Sequence, residues 1–265
     1  MLKRDQLDAD AIKADLHTAG IGKEILVFKS TASTNDIVWE YAANRQNNGL
    51  CIFAECQTSG RGRGANEWLA GAGDSILCSI LLLDWACSAE LLTLAAAVAT
   101  AQAINKCSQL DARLKWPNDI IIKGKKVAGI LLESKTTDDR FDYVIGVGIN
   151  CHQNRDFFQS QKFRMPATSI DLQSDTTVDR NSLATELLTS LDEWLTIAQS
   201  DSRQIIDTWS GLSRQLGHRI TVEYNQKQFS GNCIGVDPAR GLILQLDDSG
   251  VRMFDAAHTT IIKHL

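Results

Sequence analysis

LCIFAECQTSGRGRGANEWLAGAGDSILCSILLLD, residues 50–84, decides the fold because it carries two incompatible readings. Gly60, Gly62 and Ala65 satisfy G-x-G-x-x-G/A, and Asp84 lies about twenty residues further on at a strand's end, the fingerprint of a dinucleotide-binding loop. Such a loop must open a helix whose N-terminus receives the pyrophosphate. The next segment is instead NEWLAGAGDS (66–75), with two more glycines and too few residues for a helix before the next apolar run. The doubly wound fold is therefore set aside. The stretch reads as a buried strand (50–55), a mobile polar loop and a second buried strand (75–84).

Working outward, SAELLTLAAAVATAQAINKC (88–107) predicts a long, largely buried helix. Three strand-like runs come after it, RLKWPNDIII (113–122), KVAGILLES (126–134) and FDYVIGVGIN (141–150), with KGKK (123–126) as a tight turn between the first two. Pro117 has no backbone donor, so the first run must be an edge or be broken at Trp116-Pro117. Upstream, GKEILVFKS (22–30) predicts a strand. A helix begins near Asn35, with Ser33 or Thr34 as its cap and Ile37, Val38 and Tyr41 inward. Residues 3–18 read as a short amphipathic helix with Leu7, Ile12 and Leu16 on one face, which leaves no room before it for a separate DNA-reading module.

Residues 151–178 read as a looser stretch, and two helices are expected over 180–199, capped by Asp179, and 202–212. After Gly217 short strands alternate with turn residues (HRITVEY, QFSGNCIGVD, GLILQL, VRMFD, HTTIIKHL), the texture of a small barrel of about fifty residues. The expected fold class is α+β: a mixed sheet with helices over 1–213, then a small all-β unit over 214–265.

Composition narrows the function. The chain has 265 residues, 44% of them hydrophobic, with no apolar run long enough to cross a bilayer and no apolar core of a signal peptide at its start. Its seven cysteines are scattered without a CxxC pair, which argues against a disulfide framework or zinc site and for reduced cytoplasm. A net charge of -5 speaks against bulk nucleic-acid binding. The five histidines are dispersed, mostly at expected surface or barrel positions, and no Ser-His-Asp or Cys-His set is evident.

Four segments combine glycine, small polar and cationic residues at strand ends or turns: STN (33–35), QTSGRGRGANEW (57–68), KWPND with KVAGI (115–119 and 126–130), and GVGIN (146–150). Each alone has a plain reading. Gly146 and Gly148 could relieve crowding in a strand, and Lys126 could be a turn lysine. In this order, however, the segments resemble the biotin protein ligases, of the type without an N-terminal DNA-binding domain, over nearly the whole chain.

The resemblance implies a catalytic domain related to class II synthetase folds, succeeded by an SH3-like barrel. It implies an enzyme that adenylates biotin with ATP and magnesium, then passes the biotinyl group to one lysine of a biotin carboxyl carrier protein. Ser33, Thr34, Asn35 and Gln57 fall where the family hydrogen-bonds the ureido ring of biotin. Gly60, Arg61, Gly62 and Arg63 form the loop that closes over biotin and its adenylate, and Gly129 and Gly146 fall on the biotin side. Lys126 matches the lysine that contacts the reacting carboxylate. Lys115, Asn118 and Asp119 match the set near the phosphates, Asp119 also as a metal ligand. Arg63, Asn66, Trp68 and Asn150 fall at the nucleotide end. Many bacterial members read GRGRRG where this chain reads GRGRGAN, so the second half of the loop lacks an arginine.

The chemistry suits these residue types. A carboxylate attacking the α-phosphorus of ATP is an anion meeting an anion, a repulsion of roughly 4 kcal/mol at 4 Å and an effective dielectric near 20. Arg61, Arg63 and Lys126 can cancel it. Asp119 joins these three as the catalytic set. Residues 60–68 are expected to be disordered without ligand and to fold over the adenylate, with Trp68 as an apolar lid. A lipoate or octanoate ligase or transferase of the same superfamily is the alternative. A homodimer through the edge of the central sheet is open to such a protein.

Overall fold

The computed structural model describes residues 5–64, 66–137, 140–248 and 250–264. The strand pair of residues 50–84 lies in the larger of two sheets. β1 (Ile25–Phe28) runs parallel to β2 (Cys51–Ala54), and β2 pairs antiparallel with β3 (Ser75–Leu82). Later in the chain come β4 (Arg113–Lys115), β5 (Asp119–Ile122), β6 (Lys125–Thr137) and β7 (Arg140–Asn150). They complete a seven-stranded sheet in the order β1-β2-β3-β7-β6-β5-β4.

β3 is buried along its whole length because each face meets a separate core. Ile76, Cys78, Ile80 and Leu82 join the larger cluster with helix α3 (Ala89–Ser108), whose alanines let it lie close to the sheet. Leu81 faces the other way, into a smaller cluster with Val38 of helix α2 (Thr34–Glu40). Each fully buried leucine or isoleucine contributes roughly 1.5–3 kcal/mol relative to exposure. Helices α5 (Arg180–Ser200) and α6 (Ser202–Leu212) back α3, and Asp179 caps α5 by accepting from Ser182 N–H at 2.7 Å.

Several local expectations change. The N-terminal helix is only α1 (Ala9–Ala14), because the Asp8 carboxylate accepts from the Asp10 and Ala11 N–H groups and starts it there; residues 3 and 4 of the expected helix lie outside the described residues. Ser33 does occupy the cap position of α2, but its side chain makes no capping bond. The run 113–122 is broken, as proline requires: β4 and β5 form an antiparallel pair around a turn with a cis Trp116–Pro117 bond, bringing Lys115 opposite Asp119. The KGKK turn holds Lys123 and Gly124 at φ 48° and 77°. Within 151–178 the chain forms a short helix, α4 (Arg155–Ser160), where only irregular structure was expected.

The C-terminal strands β8 (Arg219–Tyr224), β9 (Lys227–Asp237), β10 (Gly241–Leu246), β11 (Val251–Phe254) and β12 (Thr259–His264) make a five-stranded antiparallel sheet in the order β11-β10-β9-β8-β12. Register shifts at Ile243/Leu244 and Ile261/Lys263 bend it around Val222, Cys233, Leu244 and Phe254. It is tied to the larger sheet at the Trp116–Pro117 turn, where Trp116 N–H donates to Gln215 Oε1 at 3.1 Å and Arg214 N–H to Leu114 O at 2.9 Å.

A buried ionic clamp fastens the chain's start. Arg180 is fully buried; its guanidinium donates to Asp5 Oδ1 at 2.6 Å, to Glu55 Oε2 at 2.7 Å and to the Ser75 carbonyl at 3.2 Å. His152 continues the chain, with Nδ1 2.8 Å from Asp171 and Nε2 3.4 Å from Asp5. The surface or barrel position expected for most histidines fails here, since long-range carboxylates enclose the ring.

Candidate active site

A cavity of about 690 Å³ opens where the glycine-arginine loop crosses β6 and β7, and most of the residues expected at the site line it. One end is a polar socket at the start of α2. Gln57 Oε1 accepts from Thr34 N–H at 2.7 Å and from the Thr34 hydroxyl at 2.9 Å. The Ser79 hydroxyl, inconspicuous in the sequence because its strand reads as apolar, sits 2.7 Å from Thr34 Oγ1 and 2.5 Å from Asn35 Oδ1. Asn35 Nδ2 donates to Glu133 Oε2 at 3.2 Å. Ser33 also lines this end. A Cβ on Gly146 would stand 2.4 Å from Asn35 Oδ1, so any larger residue would push the Asn35 amide off its bonds in the socket.

Residues 60–64 and 66–68 form a hairpin across the cavity rather than the start of a helix. Gly62 N–H bonds Asn66 O at 2.8 Å, Trp68 N–H bonds Gly60 O at 2.9 Å, and Arg61 and Glu67 form a bridge between them. Gly60 is required by close approach, since a Cβ there would lie 2.5 Å from the Trp68 carbonyl oxygen. Ala65 lies outside the described residues, and with it part of the departure from GRGRRG. The Trp68 indole rests on a cross-strand glycine pair, Gly129 opposite Gly148. A Cβ on Gly148 would come within 2.5 Å of the ring, and one on Gly129 within 3.1 Å. The indole Nε1–H is buried and has no hydrogen-bond partner among the described residues.

The two arginines diverge. Arg61 pairs with Asp36 and Glu133, each at 2.7 Å, so it closes over the polar socket. Arg63 turns to the C-terminal sheet and donates to the Ala256 carbonyl and, at 3.0 Å, to the Thr259 carbonyl. Burial lowers the Arg63 pKa, the neighbouring Asp119 charge raises it and that of Arg164 lowers it.

The other end is a charge cluster set by the β4–β5 turn. The Lys126 ammonium stands 2.5 Å from Asp119 Oδ1 and 5.4 Å from the Trp68 ring centroid, while Lys115 reaches Asp119 Oδ2 at 3.4 Å. Asn118 holds the turn to β6: its Nδ2 donates to Ile130 O at 2.7 Å, and Ile130 N–H returns to Asn118 O at 2.9 Å. Asn66 folds back on its own loop, donating to Arg63 O at 2.6 Å.

Two expected residues are not on the cavity wall, Gly60 at the base of the hairpin and Asn150. Asn150 is buried at the end of β7, where its amide donates to Thr168 O at 3.0 Å and accepts from Gln153 at 3.2 Å. Gly148, Phe163 and Arg164 line the cavity although sequence reasoning does not single them out as site residues. Gly148 sits inside the GVGIN motif and is legible as part of it, but the last two lie in a stretch without periodicity.

Among the described residues no group of three or more His, Cys, Asp or Glu side chains could hold a metal ion, and the Asp119 carboxylate is engaged by two ammonium groups. The residues present thus do not fit a protein-built metal cage. Nor is a reactive thiol at hand. Cys78 lines the cavity, and burial pushes its thiol well above the ordinary value.

Residues 27–150 match the model of the biotin/lipoate A/B protein ligase family. A biotin–[acetyl-CoA-carboxylase] ligase of Paracoccus denitrificans is 30% identical over 201 residues, covering 73% of this chain and 83% of that protein. Another of the same description, from Mycobacterium tuberculosis, is 29% identical over 267 residues, covering 98% of this chain and 94% of its own. The structure of the biotin protein ligase from Aquifex aeolicus in complex with biotin and ATP shares the fold, with a TM-score of 0.76 at 20% identity, covering 91% of this chain and 99% of that one.

Proposed function

The chain belongs to the biotin protein ligase family, and from that premise we propose that its cavity joins biotin to ATP and passes the biotinyl group to a carrier lysine. The observation that carries this reading is the polarity of the cavity. An uncharged hydrogen-bonding socket (Thr34, Asn35, Gln57, Ser79) lies at one end, a lysine-carboxylate cluster (Lys115, Asp119, Lys126) at the other, and one indole between them. That order suits a neutral ring, an apolar tail and a reacting carboxylate.

In the first step a biotin carboxylate oxygen forms a bond to the α-phosphorus while the bond from that phosphorus to the β-phosphate oxygen breaks and pyrophosphate leaves. Lys126 is positioned to lie against the carboxylate as it attacks, offsetting a repulsion of about 4 kcal/mol at 4 Å and an effective dielectric near 20. Asp119 holds that ammonium in place, and Lys115 keeps the Asp119 carboxylate from burying an uncompensated charge. Arg61 draws the loop onto the socket through Glu133. Trp68 covers the apolar tail and excludes the water that would hydrolyse the adenylate. In the second step a carrier lysine amine attacks the mixed-anhydride carbonyl carbon, loses a proton, and AMP departs. No side chain of this protein becomes covalently attached.

Asn118 belongs to this reading as the residue that fixes the turn beneath the phosphates. Asn150, bonded to backbone, would act by fixing the end of β7. Magnesium would enter with ATP and supply charge neutralisation at its phosphates, with no protein cage to hold it among the described residues. The reading includes a catalytic unit over 1–213 and an SH3-like unit over 214–265, a carrier domain as the second substrate, a cytoplasmic setting where ATP is plentiful, and the homodimer as an assembly open to it. No helix among the described residues is long and apolar enough to cross a membrane. A transfer route through an acyl-thioester gains no support, given the state of Cys78.

The test is ATP–pyrophosphate exchange with biotin against lipoate, together with mass-spectrometric detection of biotinyl-AMP. Exchange driven by lipoate and not by biotin refutes the assignment.

A further inference from the structure

The segment 161–168 has no role in the steps above, yet it forms a wall of the same cavity. Its backbone is bound to the residue that carries the reacting-end ammonium. Lys126 N–H donates to Pro166 O and Thr168 N–H to Lys126 O, both at 2.8 Å, which makes a short parallel bridge. Phe163 packs against Phe157 and Phe158 of α4, with ring centroids 6.4 and 5.8 Å away, and fixes the segment from behind. Between these two anchors Arg164 points back into the site. Its guanidinium donates to Asn66 Oδ1 at 3.3 Å and so reaches the glycine-arginine loop from the opposite wall.

The electrostatics of that meeting are unfavourable as they stand. Among the described residues the cavity lining carries six cationic side chains against two carboxylates. Burial lowers the pKa of the half-buried Arg63 guanidinium, the Asp119 charge raises it, and the Arg164 charge lowers it further. Like charges gathered around one cavity cost energy that an anion bound among them returns. Arg61 is already engaged by two acids, and Lys115 and Lys126 share Asp119. Arg63 is bonded to two carbonyls and Arg164 to an amide oxygen, so these contacts neutralise neither guanidinium with a carboxylate, and Arg164 is exposed on the cavity wall.

We infer that Arg164 binds the pyrophosphate end of ATP opposite Arg63 and holds that group as it leaves. A guanidinium fork matches two phosphate oxygens, and an exposed position lets the product go once the lid moves. Lys162, on the same wall, adds to the field as a point charge. The inference rests on the ligase reading for the identity of the polyphosphate, while the anion site itself stands on the geometry.

The experiment compares Arg164→Ala and Arg164→Lys with the unchanged full chain. Biotin-dependent ATP–pyrophosphate exchange yields separate KM values for ATP, pyrophosphate and biotin. Arg164→Ala is expected to raise the first two by roughly ten- to a hundredfold, the worth of a hydrogen bond to a charged group, and to leave the third unchanged. Arg164→Lys should restore part of the loss. Direct titration with inorganic pyrophosphate should show the same weakening without turnover. Unchanged constants for both phosphate ligands overturn the inference, and so does a rise in the biotin or carrier-protein KM in their place. If the unchanged protein shows no biotin-dependent exchange, the ligase reading fails; the pyrophosphate titration still decides the anion site.

Discussion

Replacing Gly148 with alanine separates the lid from the rest of the site. The added Cβ would stand 2.5, 2.7 and 2.9 Å from three atoms of the Trp68 indole. Carbon atoms rest at about 3.5–4.0 Å, so the ring must retreat by roughly 1 Å. The sheet cannot yield instead, because β7 is hydrogen-bonded on both sides, to β3 and β6. Overpacking of this kind costs about 1–3 kcal/mol. If all of it falls on the closed position of the lid, closure weakens by about five- to 150-fold, at 1.4 kcal/mol per factor of ten. The assay is the dissociation rate of preformed biotinyl-AMP, monitored by indole fluorescence and by trapping of free adenylate. Gly211→Ala is the control, as nothing lies within 4 Å of its Cβ, and it should be neutral or slightly stabilising in its helix. Retention of the adenylate by the Gly148 variant at the unchanged rate, with unchanged stability, would refute the seating of Trp68 on that glycine.

The same geometry sets other expectations. Lys126→Ala should slow adenylate formation about 10²–10³-fold, the usual loss for one charge-stabilising group; a normal rate in pre-steady-state measurement removes the residue from the first step. Arg180→Ala should destabilise the fold by about 3–5 kcal/mol, because it leaves the partly buried Asp5 and Glu55 carboxylates without their cation; urea unfolding measures it, and a change under about 1 kcal/mol speaks against the clamp. His152 has opposing influences: burial lowers its pKa, but bonds to Asp5 and Asp171 carry it above 6.5. Its contribution is therefore full below pH 6.5 and fades as pH rises through the raised value, so His152→Gln should flatten the alkaline side of a stability–pH curve. Asp5 is opposed by burial yet brought down to about 2 by His152 and Arg180, so its contribution holds above 3.8 and disappears as pH falls through about 2. Limited proteolysis at 60–68 should show protection by biotin with ATP; equal cleavage with and without them removes the lid.

The strands, the loop and the lysine cluster were legible because each depends on neighbours in sequence. Pro117 broke its strand through a missing donor, and the glycines at 60, 129, 146 and 148 lie in motifs where close approach is the ordinary cause. The hidden contacts depend on distance. Arg63 bonds carbonyls 193 and 196 residues away, and Arg180 meets a carboxylate 175 residues upstream. His152 was not told apart from the other dispersed histidines, since nothing local marks Asp5 and Asp171 as its partners. Asn150 sat within GVGIN and took on the character of that motif, yet the chain's own backbone claims its amide. Arg164 was invisible for the opposite reason: one arginine in an irregular stretch has no pattern to break.

The grip of Arg63 on the second sheet has an evolutionary corollary. Both acceptors are main-chain oxygens, of Ala256 and Thr259, so the contact is blind to which side chains occupy those positions. Substitutions there would reach the loop only through the shape of the turn, which the buried Thr259 hydroxyl holds by donating to Asp255 O. A one-residue insertion or deletion between β11 and β12 would move both oxygens at once. Length of that turn, rather than its lettering, is what selection on the lid would hold constant.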